Sequence, residues 1–169
     1  MISKQGWINL YKPKNITSFN AINYVKKKFS INKIGHAGTL DPMAEGVLPI
    51  AIGKATKLIP YISTMNKEYE FVVTWGAQTT TDDAEGKILF ESNYLPKRKE
   101  IEKKIINYIG YINQIPPKVS AVKINGKRAY KLFRENKKFT IQPKKVFVQD
   151  LYITDHNINK TSLKILCGQ

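Results

Sequence analysis

Cysteine is almost absent. Cys167 is the only one in 169 residues, so no disulfide framework can exist and a reducing compartment fits. Long apolar runs are missing too. No stretch approaches the roughly 20 residues of a membrane span. The opening Met1-Ile2-Ser3-Lys4-Gln5-Gly6 lacks the apolar run of a signal peptide. A soluble, cytoplasmic protein with no membrane attachment is expected. Histidine is scarce: His36 and His156 are the only two, and neither lies in a ligand-spaced cluster, which argues against a metal site. Gly53-Lys54-Ala55-Thr56 imitates a phosphate-binding P-loop. That motif needs a glycine where Leu48 stands and a Ser or Thr where Ala55 stands. No Gly-x-Ser-x-Gly elbow occurs, which sets aside a Ser-His-Asp hydrolase.

Acidic residues are few beside basic ones. Lys and Arg number 28 against 13 Asp and Glu, for a formal net charge of +15. Such an imbalance costs self-repulsion in the compact state, so a polyanionic partner is its natural reason. Nucleic acid leads and an anionic membrane surface comes second, while plain overuse of Lys is the bland alternative. The membrane reading lacks a basic amphipathic helix with a wide apolar face. At 42% hydrophobic, with seven Phe, nine Tyr and two Trp, the chain can bury a core. Its length suits one domain, or one domain plus a piece.

Trp7 to Tyr11 reads as a strand stopped by Lys12-Pro13. Thr17 or Ser18 can cap a helix running to about Phe29, with Phe19, Ile22 and Phe29 as its apolar stripe. A glycine-bearing loop follows, from Gly35 to Gly46. Val47 to Ile52 reads as a buried strand, Ala55 to Ile62 as a helix and Tyr69 to Trp75 as a strand. Thr79 to Gly86 is a polar turn, and Lys87 to Glu91 a strand. Ile101, Ile105 and Ile109 mark an amphipathic helix. Val119 to Ile124 reads as a strand before the Asn125-Gly126 turn, and Ala129 to Asn136 as a short helix. Val146 to Ile153 and Leu163 to Cys167 close as a strand pair. This irregular mixture predicts an α+β fold rather than a doubly wound one. The chain stops at Gly168-Gln169 directly after a strand, so it is read as a fragment.

The loop around Asp41 stands out. Glycines let its backbone pass close to a ligand, and Pro42 biases Asp41 away from helical geometry. By itself, Asp-Pro in a loop is turn chemistry. However, Gly35-His36-Ala37-Gly38-Thr39-Leu40-Asp41-Pro42, then Gly46-Val47-Leu48-Pro49, Gly53 and Ala55-Thr56-Lys57, resembles the signature of TruB-type tRNA pseudouridine synthases. Lys12-Pro13, Lys67-Glu68-Tyr69 and Thr81-Asp82-Asp83-Ala84-Glu85-Gly86 resemble further motifs of that family. So does Gln114 to Lys123, with Asn125-Gly126-Lys127-Arg128-Ala129-Tyr130. These stretches cover nearly the whole chain, in the family's order. Two departures are Glu45, where a small or hydroxyl residue is usual, and Thr80, where an Asp is usual.

The resemblance implies a pseudouridine-synthase-like mixed, largely antiparallel sheet flanked by helices. It implies isomerisation of a uridine in the T arm of tRNA (position 55), with no cofactor and no metal. Asp41 is the implied nucleophile; attack on the base, attack on the ribose C1′ and a glycal route all stay open. Tyr69 is implied to stack on the uracil, and His36 to fill the space that the flipped base leaves. Lys12, Lys54, Lys57 and Lys67 are expected to meet phosphates. The family continues from the last strand into a Lys-Gly-Thr-Tyr-Ile-Arg-like segment, whose Arg pairs with the Asp, and then into a C-terminal RNA-binding domain. Residues 1–169 are therefore read as an incomplete catalytic domain, weak or inactive alone, monomeric and without an obligate protein partner. An RNA chaperone that folds tRNA without modifying it is the rival class.

Overall fold

The computed structural model describes residues 4–168, so the sequence expectations placed on Met1-Ile2-Ser3 and on Gln169 lie outside the described residues. The chain divides into two compact units, Met1–Met65 and Asn66–Gln169. No helix is long and apolar enough to cross a membrane among the described residues.

The first unit opens with strand β1 (Gly6–Lys12) and helix α1 (Ser18–Lys28), then β2 (Ile34–His36) and β3 (Gly46–Ile52). A 3₁₀ turn (Gly53–Leu58) leads into α2 (Ile59–Ser63). The sheet order is β1-β3-β2, antiparallel throughout, with Leu10 opposite Leu48 and Ile8 opposite Ile50. Residues alternate across a strand, so Ile8, Leu10 and Lys12 share the inward face of β1. α1 starts where Thr17 accepts the Asn20 amide at 3.0 Å. It buries Ala21, Ile22 and Val25 against the sheet, and Ser18 is buried at its start. Ile31, Leu48, Ile50 and Ile52 complete this core.

Two expectations change here. The apolar stripe of α1 is not Phe19–Ile22–Phe29. Phe19 is 68% exposed and Phe29 49%, because the buried face follows positions 18, 21, 22 and 25, an i, i+3, i+4, i+7 pattern. The loop does not begin at Gly35 either, since Gly35 and His36 pair with Ala51 and Ile50 as an edge strand.

The second unit contains β4 (Lys67–Thr74), β5 (Ala77–Thr79), β6 (Ile88–Glu91) and α3 (Arg98–Ile105). Then come β7 (Gly110–Gln114), β8 (Lys123–Ile124), β9 (Lys127–Arg128) and α4 (Ala129–Arg134). β10 (Lys144–His156) and β11 (Lys160–Cys167) finish it. The main sheet runs β4-β11-β10-β7, all pairs antiparallel. Ile101 of α3 joins Val148, Leu151, Ile153 and Leu163 in its core. α3 ends earlier than the isoleucine spacing predicts. Ile109 lies beyond a 3₁₀ turn and is 42% exposed, because Gly110, at φ +89°, turns the chain into β7. The strand expected from Val119 shrinks to Lys123–Ile124, paired across Asn125-Gly126 with positive φ at both residues, the geometry of a tight hairpin. His156 is absorbed structurally: its Nδ1 lies 2.9 Å from the buried Thr161 hydroxyl, which also accepts the Trp75 indole N–H at 2.7 Å. The α+β expectation stands.

Candidate active-site loop

The loop from Ala37 to Glu45 is held at defined points. At one end the Ala37 amide donates to Pro49 O at 3.0 Å, beside the last β2–β3 pair. In the middle, Leu40 meets Ser18. The Ser18 hydroxyl donates to Leu40 O at 2.9 Å and accepts the Leu40 amide at 3.0 Å. Ser18 is 3% exposed, so these bonds form away from competing water. On the far side of Asp41, Pro42 O accepts the Asn15 amide at 2.7 Å, and the Ala44 amide donates to Asp41 O at 3.1 Å, closing a tight turn. Asp41 itself is exposed. The carboxylate thus stands at the apex of a loop whose backbone is tied on both sides of it.

Lys12 supplies a further tie, and it departs from the sequence reading. It was expected among the phosphate contacts, yet it is 0% exposed. Its ammonium donates to Ile16 O at 2.8 Å, to Pro13 O at 2.9 Å and, longer, to Pro42 O at 3.5 Å. A buried cation needs its protons occupied, and the three carbonyls occupy them. Lys12 is inward because β1 alternates, and its ammonium binds the chain before α1 to the residue after Asp41. It cannot also face a phosphate.

A second bridge forms outside. Glu45 accepts the Tyr11 hydroxyl at 2.7 Å and lies 3.4 Å from the Lys14 ammonium. The Tyr11 hydrogen bond, and then Lys14, hold the Glu45 carboxyl below its ordinary range; the same bond to Glu45 raises the Tyr11 phenol. All three groups are exposed, so the bridge contributes little to stability. Glu45, a departure from the expected motif, is therefore accommodated by two neighbours from β1 and the turn after it.

His36 is half-buried at the end of β2, and its Nδ1 faces Gly38 O. A carbonyl only accepts, so Nδ1 is the donor in this contact. Lys54 and Lys57 are exposed on the 3₁₀ turn after β3. Asp41, His36, Lys12 and Lys57 all belong to the first unit, whereas Tyr69 belongs to the second. Tyr69 lies on β4 opposite Ile165 and is 42% exposed. Partial burial, and then the nearby Cys167, push its phenol above the ordinary range, so it is neutral and able to donate at physiological pH. Sequence reasoning missed Ser18 as a loop anchor, having weighed it only as a cap. It also missed the Tyr11–Glu45–Lys14 bridge, for which opposite charges near a turn were the only signal.

Comparison with known proteins bears on this arrangement. The model of the TruB family pseudouridylate synthase N-terminal domain matches residues 26–169. A tRNA pseudouridine synthase B of Ehrlichia chaffeensis is 49% identical over 164 residues, covering 96% of this chain and 55% of that protein. That of Wolbachia pipientis subsp. Culex pipiens is 47% identical over 165 residues, covering 96% and 47%. The chain spans about half the length of these curated relatives. Among solved structures, a chain in "Crystal Structure of a Cbf5-Nop10-Gar1 Complex" superposes with TM-score 0.68 at 24% identity, covering 96% of this chain and 39% of that one. A chain in "Structure of H/ACA RNP bound to a substrate RNA containing 2'-deoxyuridine" gives 0.65 at 21%, covering 96% and 38%. At such identities the superpositions speak for the fold.

Proposed function

Since this chain belongs to the TruB family of pseudouridylate synthases, we propose that it carries the nucleophile of a tRNA pseudouridine synthase acting on a uridine of the T arm (position 55). The observation that carries the reading is the presentation of Asp41: an exposed carboxylate on a loop tied through Leu40 and Pro42 to Ser18, Asn15 and Lys12. A nucleophile held in one geometry saves ordering entropy at the moment of attack. An open loop also suits a base delivered by a large RNA rather than a small molecule that must be enclosed.

The reaction is an isomerisation. The N1–C1′ bond breaks, a C5–C1′ bond forms, C5 loses its proton and N1 gains one. The Asp41 carboxylate attacks and is later released. Tyr69 offers its ring to the uracil and a neutral hydroxyl as donor. His36 occupies the space vacated by the flipped base, while Lys57 and Lys54 meet the backbone. Lys12 positions the loop rather than touching RNA. Residues 1–169 are part of the catalytic domain, a reading supported by the greater length of the relatives.

Chemical mapping of pseudouridine in a T-arm hairpin, with enzyme in excess so that a slow reaction is counted, tests this on the present chain and on a C-terminally extended one. Asp41→Asn is expected to abolish formation in both while RNA binding and the melting temperature persist. Pseudouridine formed at the parent rate by Asp41→Asn would sink the assignment. Loss of modification with full rescue of tRNA folding would match the chemistry; rescue with no modification by either parent chain would favour the chaperone class.

A further inference from the structure

Asp41 is the first acidic residue of the chain: residues 1–40 hold seven lysines and no Asp or Glu. α1 lies in this stretch, has no acid in its first turn and ends on Lys26-Lys27-Lys28. Its buried face is Ser18, Ala21, Ile22 and Val25. Outside that face Phe19, Asn20, Tyr24, Lys26, Lys27 and Lys28 are all exposed, with Asn20, Tyr24, Lys27 and Lys28 on one side of the helix. Two of these are rings left largely in water, Phe19 at 68% and Tyr24 at 66% exposure. Lysines in a last turn complement the helix dipole, which accounts for their charge but not for the rings. The Lys28 ammonium lies 5.6 Å from the Tyr24 ring centroid, so the aromatic surface is set among cations. The face begins at the active-site loop, because Ser18, the first helical residue, holds Leu40. From there it runs about 16 Å, at about 1.5 Å per residue.

We infer that this exposed side of α1 is a second RNA contact, with Lys27 and Lys28 on phosphates and the Tyr24 ring as a stacking surface for an unpaired base. The inference rests on the RNA substrate proposed above. Cations bordering an exposed ring, on a helix that carries no carboxylate of its own, are the pattern by which single-stranded segments are held. A lipid surface does not fit, because the apolar face of α1 is spent on the core and an interfacial helix needs that face free.

Anisotropy titrations of a labelled T-arm hairpin against the 169-residue chain, across a salt series, test the contact. Lys27→Gln with Lys28→Gln is expected to flatten the slope of log affinity against log salt by about 1.4–1.8, for two phosphates lost. Tyr24→Ala is expected to weaken binding about 5- to 160-fold with the slope unchanged, and Tyr24→Phe to keep most of the affinity. Lys103→Gln with Lys104→Gln, on exposed α3 positions of the second unit, serves as the control. Parent-like binding by Tyr24→Ala, equal flattening by both lysine pairs, no binding by the parent, or equal competition by polyglutamate of matched charge would each overturn the inference. Its failure is separable from failure of the activity. Asp41-dependent pseudouridine with parent-like binding by the α1 variants removes this contact alone. Binding that depends on α1 without any pseudouridine removes the activity alone.

Discussion

Replacing Lys12 by Met isolates the tie between β1 and the Asp41 loop. The change keeps a long, flexible stem and removes the ammonium. Two strong bonds disappear, to Ile16 O at 2.8 Å and Pro13 O at 2.9 Å, with a weaker one to Pro42 O at 3.5 Å. Hydrogen bonds to a charged group contribute about 1.5–3 kcal/mol each, so the gross loss is about 3–6 kcal/mol. Two effects offset it. The burial cost of the cation vanishes, and Pro13, which is exposed, can turn its carbonyl to water. A net destabilisation of about 2–3 kcal/mol is left, because the remaining acceptors lose their donor while staying partly enclosed. That corresponds to a fall in melting temperature of about 4–12 °C. Lys12→Arg keeps the charge but brings a larger head into a site with 0% exposure, so it should not rescue. The assay is thermal melting by circular dichroism, paired with hydrogen exchange at the Asn15 amide, which donates to Pro42 O. If Lys12→Met melts within about 2 °C of the parent and the Asn15 amide stays protected, the ammonium does not hold the loop and the reasoning fails.

Ser18→Ala should cost about 1–2 kcal/mol, since both polar groups of Leu40 lose their partner; faster exchange of the Leu40 amide and a lower melting temperature would register it. The Tyr11–Glu45 bond predicts a pH signature. The Glu45 carboxyl is held low by Tyr11 and then Lys14, so what the bridge contributes is present above the ordinary carboxylate range and fades as pH falls through the lowered value. At high pH the raised Tyr11 phenol should ionise late in an ultraviolet difference titration, and Glu45→Gln should bring that ionisation back toward the ordinary tyrosine range; no shift would contradict the bridge. Gly86→Ala tests the β5–β6 hairpin. A Cβ there would lie 2.3 Å from Thr81 Oγ1 and 2.8 Å from the Thr81 amide, an overpacking expected to cost about 1–3 kcal/mol and measurable as a lowered urea midpoint.

Much of the fold is legible where local signals agree with burial. β1, β3, β4, β10 and β11 are read from β-branched and aromatic runs, and the start of α1 from Thr17. Other elements are not, for physical reasons. β2 has three residues with a glycine inside, and only its pairing with β3 makes it a strand. β7 follows a helix so directly that its onset depends on the positive φ of Gly110. Phe19 attracts a core assignment by hydrophobicity, yet small Ala21 sits in the core instead and Ser18 is buried on the Asp41 loop. The site divides the same way. The proposal of Asp41 as nucleophile comes only through family resemblance, since Asp-Pro alone denotes a turn. The inward position of Lys12 follows from strand alternation, but its three carbonyl partners come from segments that meet only after folding.

The two tryptophans fall one to each unit. Trp7 is on β1 and is 40% exposed. Trp75, just past β4, gives its indole N–H to the fully buried Thr161. Their fluorescence should accordingly differ in colour and in access to a soluble quencher. With Trp7→Phe and Trp75→Phe the two emissions become separate reporters, one for the unit that carries Asp41 and one for the unit that carries Tyr69. The chain thus has an optical means of asking whether those halves lose their structure together or in turn.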